Sequence, residues 1–193
     1  SRWEESGVPV FLDVRGAPAL SLGEVEGALL DALTTWNSVS CSSLVLRYAG
    51  WVDESPGLGI YITWQSLEES EGVLGPDAAG VTQTFLKEGN RIERADMFLN
   101  ATFSWSLGGE TFDPTRVDVA AVLTHELGHA VGVGHSRDRE STMYFAGGDS
   151  SLRTLAQDDE NALCYLYGVN FTPSGGPCDP CTEASECVSG ACI

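Results

Sequence analysis

The chain has 193 residues and a formal net charge of −18, from 28 acidic against 10 basic side chains. Such a field repels polyanions, which argues against nucleic acid and anionic membrane as partners, and no apolar run approaches the roughly 18 residues of a membrane-spanning helix. Length and composition fit one enzyme-sized globular domain, with calcium a possible partner for part of the acidity.

In chain order, Val8 to Val14 is rich in strand formers, and Ser21-Leu22-Gly23-Glu24 reads as a capping box opening a helix. Leu22, Val25, Leu29, Leu33 and Trp36 follow at three- and four-residue spacings, which predicts one apolar stripe against a core. Short β-type runs come next at Leu44 to Tyr48, Leu58 to Trp64, Val81 to Phe85 and Ala95 to Leu99, and they predict one sheet. A second helix is expected from Pro114 or Thr115 to Gly132. A third is expected from Thr154 to Tyr167, with Thr154 and Gln157 as its capping box and Gly168 as its stop. Three helices and five strands define an α/β (α+β) domain. Past Gly168 the composition turns to Pro, Gly, Ser and Cys, so residues 1–169 read as the main domain and 170–193 as a linker with a cysteine-rich segment.

The N-terminus, Ser1-Arg2-Trp3, lacks a signal-peptide apolar stretch, so the chain reads as a processed form. Six cysteines suit an oxidising compartment, which implies a secreted protein. Cys178, Cys181, Cys187 and Cys192 allow three disulfide pairings, and a four-cysteine zinc site is the alternative. One lysine, Lys87, against nine arginines points to a GC-rich bacterial genome.

The chemistry concentrates in His125-Glu126-Leu127-Gly128-His129-Ala130-Val131-Gly132-Val133-Gly134-His135, an extended H-E-x-x-H-x-x-G-x-x-H pattern. Positions i and i+4 share a helical face, so His125 and His129 can offer neutral imidazoles to one ion. Gly132 can take positive φ, which lets the chain leave the helix sharply and bring His135 round as third ligand. Three protein ligands leave one position open, the arrangement of a catalytic zinc. Glu126, beside the first ligand, is the natural general base and acid for a zinc-activated water. The chain's three histidines all fall in this one window, so chance placement is a poor account of them.

With Ser136 after the third ligand, Met143-Tyr144 and the stretch Leu155, Asp158-Asp159, Leu166-Tyr167-Gly168, the motif resembles the matrixins of the metzincin clan over residues 3 to 168. Phe145 separates the chain from astacin-like and serralysin-like enzymes, which place a metal-reaching tyrosine two residues after the methionine. The resemblance implies a twisted, mostly parallel five-stranded sheet, one catalytic zinc and a methionine turn at Met143. No histidine is left for the second, structural zinc of vertebrate-type matrixins, and their calcium loops are not recognisable. The resemblance also implies an extended substrate paired with an edge strand, with Gly80, Val81 and Thr82 as candidates; an ordinary core strand is the alternative. It implies a hydrophobic pocket for the residue after the scissile bond, walled by the stretch from Tyr144 on and floored by Ala121, unless Ala121 is there for helix propensity alone. In astacins a bridge joins comparable parts of the fold, which suggests a Cys41–Cys164 disulfide rather than two buried thiols.

These readings converge on a secreted zinc endopeptidase, a monomer whose partner is a protein or peptide substrate, with no nucleic acid and no membrane insertion. The rivals are a binding or adhesion module on a zinc scaffold, and a latent form whose tail covers the cleft and gives a cysteine to the metal.

Overall fold

The fold comes from a computed structural model, which describes residues 1–5, 7–108, 115–145 and 150–168. Five strands form one twisted sheet: β1 (Gly7–Asp13), β2 (Val45–Val52), β3 (Gly59–Gln65), β4 (Gly80–Lys87) and β5 (Arg91–Asn100), in the order β2-β1-β3-β5-β4. The pairs β1/β2, β1/β3 and β3/β5 are parallel, and β4 runs antiparallel to β5 at one edge. The mostly parallel sheet and the edge position of Gly80 to Phe85 thus follow the expected layout. Val8, Val10, Leu12, Ile60, Ile62, Trp64, Ala95, Met97 and Leu99 form the buried face of the sheet, as strict alternation requires.

Helix α1 (Leu22–Asn37) starts at the expected capping box: Ser21 N–H donates to Glu24 Oε2 at 2.7 Å, and Glu24 N–H donates to Ser21 Oγ at 3.3 Å. Its buried stripe is Val25, Ala28, Leu29, Ala32, Leu33 and Trp36. Leu22, the first residue of the helix, departs from the expected stripe and is 43% exposed. Trp36 ties α1 to the metal-motif helix α2 (Val119–Ala130): its indole N–H donates to Thr124 O at 2.8 Å, wholly buried.

Two helix starts differ from expectation, each for a tertiary reason. Helix α2 begins at Val119, not at Thr115, because Asp118 is the residue whose carboxylate accepts from Ala120 N–H and Ala121 N–H; Pro114 lies outside the described residues. Val117 and Asp118 instead form β7, paired in parallel with β6 (Trp105–Ser106). Helix α3 begins at Gln157 (Gln157–Tyr167), and Asp159 rather than the Thr154/Gln157 pair closes its start by accepting Ala156 N–H at 2.9 Å. Gly168 ends it as expected. Cys41 and Cys164 form a disulfide with Cα atoms 5.5 Å apart, and Ser43 N–H donates to Tyr167 O at 2.9 Å beside it. The α1 end and the α3 end are therefore stapled together.

The outer face of the sheet carries one buried polar network. Asp13 accepts from the Arg15 guanidinium at 2.7 Å, from Thr63 Oγ1 at 3.0 Å and from the Tyr61 hydroxyl. No described helix is long and apolar enough to cross a membrane. The expected boundary near Asn170 and Cys178, Cys181, Cys187 and Cys192 lie outside the described residues.

Candidate metal centre and cleft

Four backbone segments meet at His125, His129 and His135. The first two histidines lie one turn apart on α2. Gly132 then turns the chain out with φ of +95°, and a Cβ there would collide with the backbone oxygen of Ser1. The turn is pinned from behind: Trp3 indole N–H donates to Ala130 O at 2.9 Å, and the Tyr167 hydroxyl donates to Val131 O at 2.7 Å. His135 follows, exposed, in irregular chain, and Ser136 N–H donates to Met143 O at 2.7 Å, joining the third histidine to the methionine turn.

One ring nitrogen from each histidine lies within 4.8 Å of the others. On α2 the other ring nitrogens are committed: His125 Nδ1 is 2.7 Å from Thr142 O and His129 Nδ1 is 3.0 Å from Val133 O. A carbonyl only accepts, so both Nδ1 atoms carry the proton and both Nε2 atoms turn a lone pair inward. His129 Nε2 also stands 3.1 Å from His135 Nε2, so the two rings aim at one point. Burial lowers the pKa of His125, and burial together with the neighbouring His125 lowers that of His129 to about 4, which keeps the imidazoles neutral. Neutral imidazole lone pairs converging at this spacing, with the far nitrogens bonded to carbonyls, fit zinc and its outer shell. Among the described residues this is the one group of three or more His, Cys, Asp or Glu able to hold a metal.

Glu126 is not in that group. Its side chain points from α2 to the edge strand, where the Thr82 hydroxyl donates to Oε2 at 2.6 Å. Burial raises its pKa to about 7, and the Thr82 hydrogen bond pulls the other way. Gly80 makes the approach possible, since a Cβ there would lie 2.9 Å from Glu126 Cγ and Oε1. Gly80, Val81 and Thr82 all line the cleft, which encloses about 1020 Å³.

Met143 is buried beneath the histidines. Gly128, on the α2 turn between His125 and His129, is the glycine that admits it, because a Cβ there would overlap the Met143 sulfur. The methionine turn hangs on Asp159, which accepts from Thr142 N–H at 2.8 Å, from Met143 N–H at 3.1 Å and from the Ser141 hydroxyl. Tyr144 lines the cleft, and the Phe145 ring, 66% exposed, lies tilted at 48° to it with the ring centroids 4.6 Å apart. Ala121 is fully buried and does not line the cleft; Val122, beside it in α2, does, with Val117 and Leu152. Sequence reasoning assigned no role to Gly128, Val122, Asp118 or Asp159, which shape the site, although Gly128 and Asp159 stood inside motifs already singled out.

A mixed sheet whose edge strand faces a helix with two of three histidines, and a methionine turn closing the site from below, defines a metzincin-type zinc peptidase domain. The sequence profile of the matrixins matches residues 3–168, and the chain belongs to that family. It is 26% identical over 189 residues to matrix metalloproteinase-18 of Xenopus laevis, covering 93% of this chain and 38% of that protein. It is 27% identical over 188 residues to human neutrophil collagenase, with 93% and 38% covered, and 26% identical over 204 residues to karilysin of Tannerella forsythia, with 100% and 39% covered. The chain thus spans about two fifths of the length of these curated relatives. Matrixins are zinc metalloendopeptidases.

Proposed function

We propose that the chain is a secreted, monomeric zinc-dependent endopeptidase that cuts extended protein or peptide substrates before a hydrophobic residue. The observation that carries this reading is the separation of roles on one helix: His125 and His129 turn lone pairs to a common point with His135, while the intervening Glu126 turns away from it to the cleft wall. A scaffold that only held metal would have no use for a buried carboxylate there, and keeping one costs stability.

His125, His129 and His135 would hold the zinc, which when bound supplies a Lewis acid that acidifies water and polarises a carbonyl. Glu126 accepts the proton of the attacking water and returns it to the leaving amine. Thr82 holds the Glu126 carboxylate by one Oε atom and leaves the other for that transfer. The edge strand β4 offers Gly80, Val81 and Thr82 for backbone pairing with an extended substrate. Val117, Val122, Leu152 and Tyr144 beside His125 supply apolar surface for the residue after the scissile bond, and Ala121 keeps the adjoining helix slim. The Cys41–Cys164 disulfide supports an oxidising, extracellular setting.

The test is Glu126→Ala. Metal analysis is expected to show one zinc per chain in wild type and variant alike, with cleavage of a peptide library falling by about 10²–10⁴-fold in the variant. Retained turnover, or two tightly bound zincs per chain, would overturn the assignment.

A further inference from the structure

An ion pair that involves none of the three histidines borders one wall of the cleft. Asp118 caps α2, its Oδ1 accepting from Ala120 N–H at 3.0 Å and Ala121 N–H at 3.1 Å. The same carboxylate takes the guanidinium of Arg153 in fork geometry: Nε lies 2.9 Å from Oδ2, and Nη2 lies 2.9 Å from Oδ1 and 2.8 Å from Oδ2. Arg153 Nη2 further donates to Leu107 O. The Arg153 carbonyl accepts from Thr35 Oγ1 of α1 at 3.3 Å. Gly108, with φ of +68°, lies so close that a Cβ would strike both Asp118 and Arg153.

Three chain segments are thereby locked to one buried carboxylate. Two of them place apolar side chains at the cleft. Val117 immediately precedes Asp118, Val122 lies one turn into the helix it caps, and Leu152 immediately precedes Arg153; all three line the cleft. A backbone shift at either partner is passed directly to these walls. Asp118 is 3% exposed, so its pairing with Arg153 is shielded from the screening that weakens surface pairs.

We infer that Arg153, acting through Asp118, is a positioning residue that fixes the width of the hydrophobic pocket and so sets how strictly the residue after the scissile bond is selected. The inference rests on the endopeptidase reading for its consequence, but not for its structural content. Arginine is required because a planar fork holds both carboxylate oxygens at once, whereas the point charge of lysine holds the carboxylate without fixing its orientation.

The experiment compares wild type with R153K and with the double variant D118N/R153M, each loaded with zinc. Asparagine keeps the helix cap, and methionine removes the charge that would otherwise be left facing a neutral amide, so the double variant is expected to fold. Zinc affinity by chelator competition should stay within about twofold of wild type, since no ligand or ligand partner is altered. Hydrogen–deuterium exchange should rise about tenfold in both 117–123 and 152–156 in the double variant, and less in R153K. On a degenerate peptide library, the ratio of large to small hydrophobic residues after the cut should fall about tenfold in the double variant, with R153K between. Unchanged exchange in both segments, or a cleavage profile that coincides with wild type, overturns the inference. If wild type cuts no peptide, the endopeptidase reading fails, and exchange alone decides the role of the pair.

Discussion

Removing the Asp159 carboxylate should loosen the methionine turn by an amount that can be worked out bond by bond. Oδ2 accepts from Thr142 N–H at 2.8 Å and Ala156 N–H at 2.9 Å, while Oδ1 accepts from Met143 N–H at 3.1 Å and the Ser141 hydroxyl. In Asp159→Ala the Met143 N–H retains a second acceptor, Ser141 Oγ at 3.0 Å, but Thr142 N–H and Ala156 N–H lose theirs. Two stranded donors at about 1–3 kcal/mol each, together with a small cavity, give about 3–5 kcal/mol. Asp159→Asn is milder. Its amide oxygen can replace Oδ2 and its NH₂ can face Ser141, whose hydroxyl turns to accept, but the NH₂ also meets the Met143 N–H, which is left with Ser141 Oγ alone, so the cost is about 1–2 kcal/mol. Equilibrium urea unfolding of the two variants measures both numbers, and for a domain of this size the alanine variant should melt on the order of 10 °C lower. Because the Thr142 carbonyl also holds His125 Nδ1, zinc affinity should fall about 10–100-fold in the alanine variant. Equal costs for Asn and Ala, or an alanine variant within about 0.5 kcal/mol of wild type, would refute this accounting.

Gly128→Ala sets two effects in opposition: alanine favours the helix by about 1 kcal/mol, whereas a methyl overlapping the Met143 sulfur and 2.9 Å from Trp36 costs about 1–3 kcal/mol. Overpacking should win, and thermal unfolding of the zinc-loaded variant checks the sign; a raised melting temperature would show that Met143 moves freely aside. At Asp13, burial by itself would raise the pKa, but the hydrogen bonds from Arg15, Tyr61 and Thr63 outweigh it and hold the group at about 2. A folded pKa below the unfolded value stabilises fully above about pH 4, and the stabilisation is lost as pH falls through about 2. Asp13→Asn should therefore cost about 2 kcal/mol near neutrality, with the gap to wild type closing between about pH 4 and pH 2 in acid unfolding curves. A pH-independent gap would mean the network acts through shape and not charge.

The sheet, the three helices and the histidine cluster were legible in the sequence because each rests on a pattern confined to a few adjacent residues. The Ser21/Glu24 box, the short β-type runs that became β3 and β5 and the eleven-residue histidine motif are cases in point. Where the reading slipped, the deciding partner was distant along the chain. Pro114 and Thr115 are plausible helix openers by local rule, yet the helix waits for Asp118, whose carboxylate is fixed by Arg153 thirty-five residues later. Thr154 likewise gives way to Asp159, which is drawn across to Thr142 and Met143.

The same principle explains why the outer shell of the metal site left no trace in the motif. His125 and His129 are oriented by the carbonyls of Thr142 and Val133, and every residue type presents a carbonyl, so no letter of the sequence marks the partner. What the sequence does mark is the means of bringing those carbonyls into place: Gly132 for the turn that presents Val133, Asp159 for the turn that presents Thr142, and Gly128 for the methionine between them. An aspartate in α3 and two glycines in and after α2 thus hold the histidines as surely as the zinc motif itself. Substituting any of them should weaken metal binding without touching a ligand.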